Sequence, residues 1–314
     1  MSRYLVTGGA GFIASHITEA LLRKGHQVRV IDDLSSGRLE NLSHIKDKVE
    51  FLKGDIRDRA LVKKAMKEIE YVIHAAAWRS VPKSMADPYG YTDVNVLATV
   101  SLLEEAVKEK VKRFVCVSSS SVYGDTDKMP LNEDMPTRPI SPYAASKLAD
   151  ELFCGLFWRG FKLEAVSVRY FNVFGPRQSL ENEYAVVVPK FIVCLMKGEQ
   201  PPIYGDGKQS RDFTYVDNVV EGTILASQTP GVGGESFNIA LGEEHTVLDL
   251  LEQLNKIMGL NIKPKLIPPR PGDVRRTLAD PSKAMKLLKW KGSVNFAEGL
   301  RKTVDWFKAN PPGK

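Results

Sequence analysis

The chain opens on a short apolar run, Tyr4–Thr7, that ends in Gly8-Gly9-Ala10-Gly11 and passes directly into Phe12-Ile13-Ala14. A strand that turns on glycines into a helix brings backbone close to an anion, and the helix start offers that anion its free N–H groups. The spacing is Gly-x-x-Gly-x-x-Ala, and Ala14 is small enough for close helix–strand packing. A glycine cluster alone is only a turn. Here a strand precedes it, and apolar residues at helical spacing (Ile13, Ile17, Ala20, Leu21) follow it, which is the context a dinucleotide-binding turn requires.

The alternation continues. Strand-like runs occur at Val28–Asp32, Val49–Lys53, Tyr71–His74 and Phe114–Ser118, and helical periodicity lies between them at Ile13–Lys24, Ala60–Ile69 and Val94–Lys110. This predicts an α/β fold, a Rossmann-type doubly wound parallel sheet with helices on both faces. After residue 175 the pattern loosens, prolines cluster at Pro201–Pro202 and Pro268–Pro269, and helices are expected at Val247–Met258 and Ala297–Lys308. A smaller α/β C-terminal substrate domain follows from this. Residues 1–173 with about 211–241 form the cofactor domain, and about 174–210 with 242–314 the substrate domain.

Composition removes several classes. The net charge of +6 is not gathered into a run of Lys and Arg with aromatics interleaved, so nucleic acid is not the expected partner. No run of 18 apolar residues suggests a membrane span. Three widely spaced cysteines (Cys116, Cys154, Cys194) fit neither a disulfide framework nor a zinc site and point to a reducing cytoplasm, and five scattered histidines predict no metal cluster.

Asp32 ends the second strand, twenty-one residues after Gly11. A carboxylate there accepts hydrogen bonds from both ribose hydroxyls of an adenosine and repels a 2′-phosphate, so NAD is favoured over NADP; Asp33 adds to that bias. Asp55-Ile56, after the third strand, is placed to flank the adenine.

At the other end of the sheet, Ser118-Ser119-Ser120-Ser121-Val122-Tyr123-Gly124 follows the fifth strand, where ligands of parallel sheets bind. Ser141-Pro142 then opens a helix carrying Tyr143 and Lys147 at i and i+4, on one face. An ammonium beside a phenol stabilises the phenolate, which makes a base for near-neutral pH.

Together with His74-Ala75-Ala76-Ala77, Arg169 to Arg177 (RYFNVFGPR), Ser210-Arg211-Asp212-Phe213 and Arg270 to Arg275 (RPGDVR), these motifs resemble the extended short-chain dehydrogenase/reductase family over nearly the whole chain. Within it, the chain is most similar to the UDP-hexose 4-epimerases. The resemblance implies a tightly held NAD, a UDP-sugar substrate and a homodimer. It implies Ser119, Tyr143 and Lys147 as catalytic residues. It places cofactor contacts at Gly8, Gly11, Phe12, Ile13, Asp32, Ser36, Gly37, Asp55, Ile56, Ala75, Ala77, Asn95, Tyr143, Lys147 and Tyr170. Substrate contacts fall at Ser120, Asn172, Val188, Arg211, Arg270, Arg275 and Thr277, the arginines gripping phosphate. Ser118 and Ser120 compete with Ser119 for its role. His74 is read as structural, beside the nicotinamide, and Arg79 as part of a surface loop.

Among family members, 4,6-dehydratases carry an Asp and a Glu where Ser120 and Ser121 stand, and UDP-glucuronate decarboxylases a Glu in place of Ser121. Hydroxyls do not perform that acid–base work, so C4 epimerisation through a transient 4-keto sugar is the expected reaction. The small Thr277 leaves room for N-acetylhexosamines beside plain hexoses. The alternatives are a UDP-glucuronate 4-epimerase, with Arg79 facing the carboxylate, a nucleotide-sugar 4-ketoreductase, and a non-enzymatic NAD-binding protein, the last disfavoured because Tyr143 and Lys147 are both present.

Overall fold

The computed structural model describes residues 1–180, 187–269 and 274–311. Six strands, β1 (Arg3–Thr7), β2 (Gln27–Asp32), β3 (Val49–Lys53), β4 (Tyr71–His74), β5 (Arg113–Ser119) and β6 (Ala165–Tyr170), come first. Short strands β7 (Val173–Phe174), β8 (Pro202–Tyr204), β9 (Ser210–Arg211) and β10 (Thr214–Tyr215) precede β11 (Ser236–Ile239), and β12 (His245–Thr246), β13 (Lys265–Ile267) and β14 (Arg276–Thr277) follow it. The helices are α1 (Phe12–Arg23), α2 (Arg59–Met66), α3 (Val81–Ala86), α4 (Pro88–Tyr91), α5 (Ala98–Lys108), α6 (Pro142–Phe161), α7 (Val187–Met196), α8 (Val216–Gln228), α9 (Val247–Met258), α10 (Ser282–Leu287) and α11 (Phe296–Ala309).

Strands β1–β6 and β11 form one parallel sheet in the order β11-β6-β5-β4-β1-β2-β3. Alternation along each strand divides the core. Tyr4, Val6, Val28, Val30, Val115 and Val166 face the side covered by α1 and α8, and the same core continues into α7, α9 and α11, which pack on one another. Leu5, Ile31, Phe114 and Cys116 face α2, α5 and α6. The order reverses between β1 and β4, and a ligand crevice opens at such a switch point, beyond the carboxyl ends of the strands. The small sheets, β12-β9-β14 and β13-β8, are the work of the proline-rich second half and stand over that crevice.

Two helix boundaries depart from the periodicity. The run expected over Ala60–Ile69 stops at Met66, because Glu68 is left-handed (φ 59°) and turns the chain toward β4. The run expected over Val94–Lys110 begins as a wide π-turn, Thr92–Leu97, before α5. No described helix is long and apolar enough to cross a membrane.

Candidate active site

The crevice holds two adjoining cavities of about 540 and about 490 Å³. They share Phe12, Ile13, Ala75, Ala77, Arg79 and Tyr170.

The first cavity runs along the β1–α1 turn to the end of β2. Gly8 has φ +68°, and a Cβ there would stand 2.9 Å from the Ala76 backbone, so the turn closes only on glycine. No side chain caps α1 and its first turn has no acidic residue, so its leading N–H groups are left for an anion. Asp32 is buried. Its Oδ2 accepts from the Ala10 N–H (2.9 Å) and its Oδ1 from the Leu34 N–H (2.8 Å). Burial pushes this carboxyl up and those two N–H groups hold it down. Each oxygen keeps a second lone pair for a hydroxyl in the cavity. Gly37 lies behind Asp32, where a Cβ would come within 2.8 Å of both carboxylate oxygens. Gly11, Ser36, Asp55, Ile56 and Tyr170 also line this cavity. Asn95 does not: it is fully buried behind the wall, bonded to both backbone polar groups of Trp78 (2.8 and 3.0 Å) and to Ser146 (2.9 Å). Nor does His74, which is enclosed between Thr7 and Thr99 rather than beside the cavity.

The second cavity is lined by Ser118–Ser121, Tyr143, Lys147, Asn172, Arg211, Lys190 and the small-sheet residues Pro202–Tyr204. Helix α6 carries Tyr143 and Lys147 here because Ser141 caps it, accepting from the Ala144 N–H at 3.1 Å, with Pro142 in the first turn. Lys147 is almost fully buried, and its Nζ lies 3.0 Å from Oδ2 of the wholly buried Asp150. Burial opposes the charge on Lys147, but Asp150, Cys116 and Tyr143 together outweigh burial and raise the ammonium above its ordinary range. Burial in turn pushes the Asp150 carboxyl up to about 6.

The four serines are not equivalent. The Ser118 hydroxyl is turned inward to Glu151, which clamps Arg169 through two bonds of 2.9 and 2.6 Å. Arg169 continues to the Tyr123 hydroxyl (2.8 Å), and that hydroxyl donates to Asn238 of β11 (2.7 Å). This buried network ties β5, β6, α6 and β11 under the serine turn. Ser119 Oγ accepts from the Ser121 N–H (3.2 Å), which leaves its own proton available to the cavity.

Several residues fall elsewhere than the sequence suggests. Val188 is core; its neighbours Val187, Lys190 and Phe191 line the cavity instead. Arg275 is exposed, 4.0 Å from Asp206. Thr277 stands one layer back, its hydroxyl 3.3 Å from Asn172 Oδ1. Arg270 lies outside the described residues. Arg79 stands exposed in the loop after β4, as the sequence suggests, and also lines both cavities where they join, next to Trp78, whose backbone Asn95 clamps. Lys190, and Trp306, Phe307, Asn310 and Pro311 at the end of α11, also line the cavities; they reach them only through the packing of α7 and α11, and no local motif announces them.

The GDP-mannose 4,6 dehydratase family model matches residues 5–303. The chain is 41% identical over 310 residues to a UDP-glucose 4-epimerase of Mycolicibacterium smegmatis, covering 98% of each. It is similar in structure to a UDP-N-acetylglucosamine 4-epimerase of Methanobrevibacter ruminantium, in complex with UDP-N-acetylmuramic acid (40% identity, TM-score 0.94, 98% and 99% of the chains). It is also similar to a UDP-glucose 4-epimerase of Thermus thermophilus in complex with NAD (38%, 0.90, 98% and 99%).

Proposed function

The chain belongs to the GDP-mannose 4,6 dehydratase family of extended short-chain dehydrogenases/reductases, and on that premise we propose that it inverts C4 of a UDP-hexose. NAD occupies the first cavity and the sugar nucleotide the second. One observation carries the reading: among the described residues, the second cavity joins Tyr143, Lys147 and a serine turn but contains no Asp or Glu. Dehydration and decarboxylation by this family use a carboxyl at that turn; epimerisation does not.

The residues of the first cavity fit NAD. The capless start of α1 takes the pyrophosphate and Asp32 the adenosine ribose. NAD bound there supplies the acceptor, and then the donor, of the C4 hydride. Tyr143 takes the proton of the C4 hydroxyl, and Ser119 donates to the C4 oxygen to orient it. Lys147 favours the phenolate. Arg211, Lys190 and Asn172 surround the far part of the second cavity and hold the diphosphate and sugar. In this division residues 1–173 with about 211–241 form the unit that holds NAD and the rest the unit that covers the UDP-sugar, with Tyr143, Lys147, Asn172 and Arg211 of the first unit facing the sugar nucleotide across the border. The chain pairs with a second copy through α5 and α6.

Thr277 behind Asn172 supports acceptance of N-acetylhexosamines. Arg79 supports a second substrate, a UDP-hexuronate, since its guanidinium stands where the cavities meet and suits a C6 carboxylate. The test is incubation of the purified protein, without added cofactor, with UDP-galactose, UDP-N-acetylgalactosamine and UDP-glucuronate, each resolved by chromatography. Conversion to C4 epimers is the expected result. No conversion of any of the three, even with added NAD, sinks the reading. Thr277→Tyr should remove N-acetyl activity while sparing plain hexoses; equal losses refute that assignment.

A further inference from the structure

Lys147 has two claimants. Tyr143 lies one turn before it on α6, and both line the second cavity. Asp150 lies three residues after it, with no exposed surface, and holds the ammonium at 3.0 Å. A buried ammonium without a counter-ion is strongly disfavoured, so this contact keeps Lys147 charged and fixes where its charge sits. The same contact weakens the field that Lys147 exerts on Tyr143, because a carboxylate–ammonium pair acts at a distance as a dipole and not as a single charge.

The other groups around the pair are neutral or already matched. Asp150 faces Lys147 and Glu151 of its own helix, Cys116 of β5 and Thr99 of α5; His74 of β4 and Tyr143 face Lys147; Tyr143 also faces the Arg79 guanidinium of the loop after β4 and Tyr91 of α4, both left in place by a change at Asp150. The hydrogen bond with Cys154, together with burial, raises the Cys116 thiol, and burial lowers the His74 imidazole, leaving both uncharged near neutrality. Glu151 is matched by Arg169 through two hydrogen bonds. The Lys147 ammonium thus has the Asp150 carboxyl bonded to it and the Tyr143 phenol within its field.

We propose that Asp150 is a positioning residue that divides the Lys147 ammonium between itself and Tyr143, and so limits how far the tyrosine stands as phenolate. The chemistry gives such a limit a use. A base that must take a proton from the C4 hydroxyl and later return it to the C4 oxygen, whichever face the hydride comes back to, works best when neither form is overwhelmingly favoured. The inference rests on reading Tyr143 as the base.

Its test does not need turnover. Protein carrying 13Cζ-labelled tyrosine is titrated as purified, with the Tyr143 resonance assigned by its absence in Tyr143→Phe. In Asp150→Asn, and in the smaller Asp150→Ser, the Tyr143 midpoint should fall by roughly one pH unit, the size expected when one of two competing charges is removed from a buried ammonium. The acid limb of the kcat profile for UDP-sugar epimerisation should move down by the same amount. An unmoved or raised midpoint overturns the proposal, and so does a lower melting temperature with the tyrosine titration unchanged, which is all a purely structural role predicts. A midpoint that moves in a protein without epimerase activity would uphold this inference while sinking the proposed function.

Discussion

Asp32 shows how much a single carboxylate carries. Both of its oxygens are partly used by the turn it sits in, through Ala10 and Leu34, and the remaining lone pairs face the first cavity. Asp32→Asn keeps one acceptor and removes the charge. NAD binding, followed by calorimetry, should weaken roughly ten- to a hundredfold, matching the ~1.5–3 kcal/mol of a hydrogen bond to a charged group. NADP should lose less, because the repulsion of its 2′-phosphate goes too; equal losses of both cofactors would place Asp32 in the turn alone. Tyr143→Phe removes only a hydroxyl from α6. It should lower kcat by about 10²–10⁴, the usual span for a general base, while leaving NAD retention and thermal stability unchanged. Both residues were legible in the sequence, because each sits at a fixed spacing within one strand–turn–helix or one helical turn. Arg79 was legible only as an alternative, a side chain facing either solvent or the sugar. The backbone of its neighbour Trp78 is held by Asn95, seventeen residues away, and no local pattern encodes that clamp.

At the level of elements, His74 joins three of them. Thr7 of β1 accepts from the Ala75 and Ala76 N–H groups, so its own proton goes to His74 Nδ1 (2.7 Å). The imidazole then carries its proton on Nε2 and donates to Thr99 of α5 (2.8 Å), whose hydroxyl donates in turn to the Asn95 carbonyl. The chain of donors has no place for a second proton on the ring. Burial, aided by the Lys147 charge, lowers His74 to about 3. The unfolded chain binds a proton at this histidine below about pH 6.5 and the folded chain does not, so stability falls as pH falls through that window, by up to ~1.4 kcal/mol per unit. Asp150 and Asp212, both pushed by burial to about 6, contribute in the opposite sense, losing stability as pH rises from about 4 to 6. His74→Phe separates these. The variant should be less stable at pH 8, and its denaturant-derived stability should depend less steeply on acid between pH 6.5 and 4; an unaltered slope would show that His74 is not the group responsible. The sequence disclosed β1 to β5 because their apolar runs are continuous and evenly punctuated. It did not disclose β11, which returns to the sheet after four short strands and is fixed by Asn238 reaching the Arg169 network.

For the whole molecule, the two cavities meet at one wall, and the elements behind Tyr143 and Lys147 leave apolar surface uncovered. Helix α6 is 20 residues long; its inner side supplies Lys147, Asp150 and Cys154 to the interior, while Leu152 and Leu156 are 64% and 46% exposed. Leu97, just before the neighbouring α5, is 57% exposed, and Met85 and Tyr89 on α3 and α4, which pack on α6, are more exposed still. Large exposed apolar side chains gathered on adjoining elements mark an association surface. A second copy of the same surface would cover them about a two-fold axis, with each α6 meeting α5 and α6 of its mate. The wild-type chain should then sediment as a dimer at micromolar concentration. Leu156→Glu places a charge at the centre of that contact and should weaken dimerisation by about 2 kcal/mol or more, enough to yield monomer at the same concentration. Because α6 also positions Tyr143 and Lys147, the monomer should lose activity while its far-ultraviolet spectrum is preserved. A wild-type chain that sediments as a monomer, or a Leu156→Glu variant that remains a dimer, would show that this face has another use.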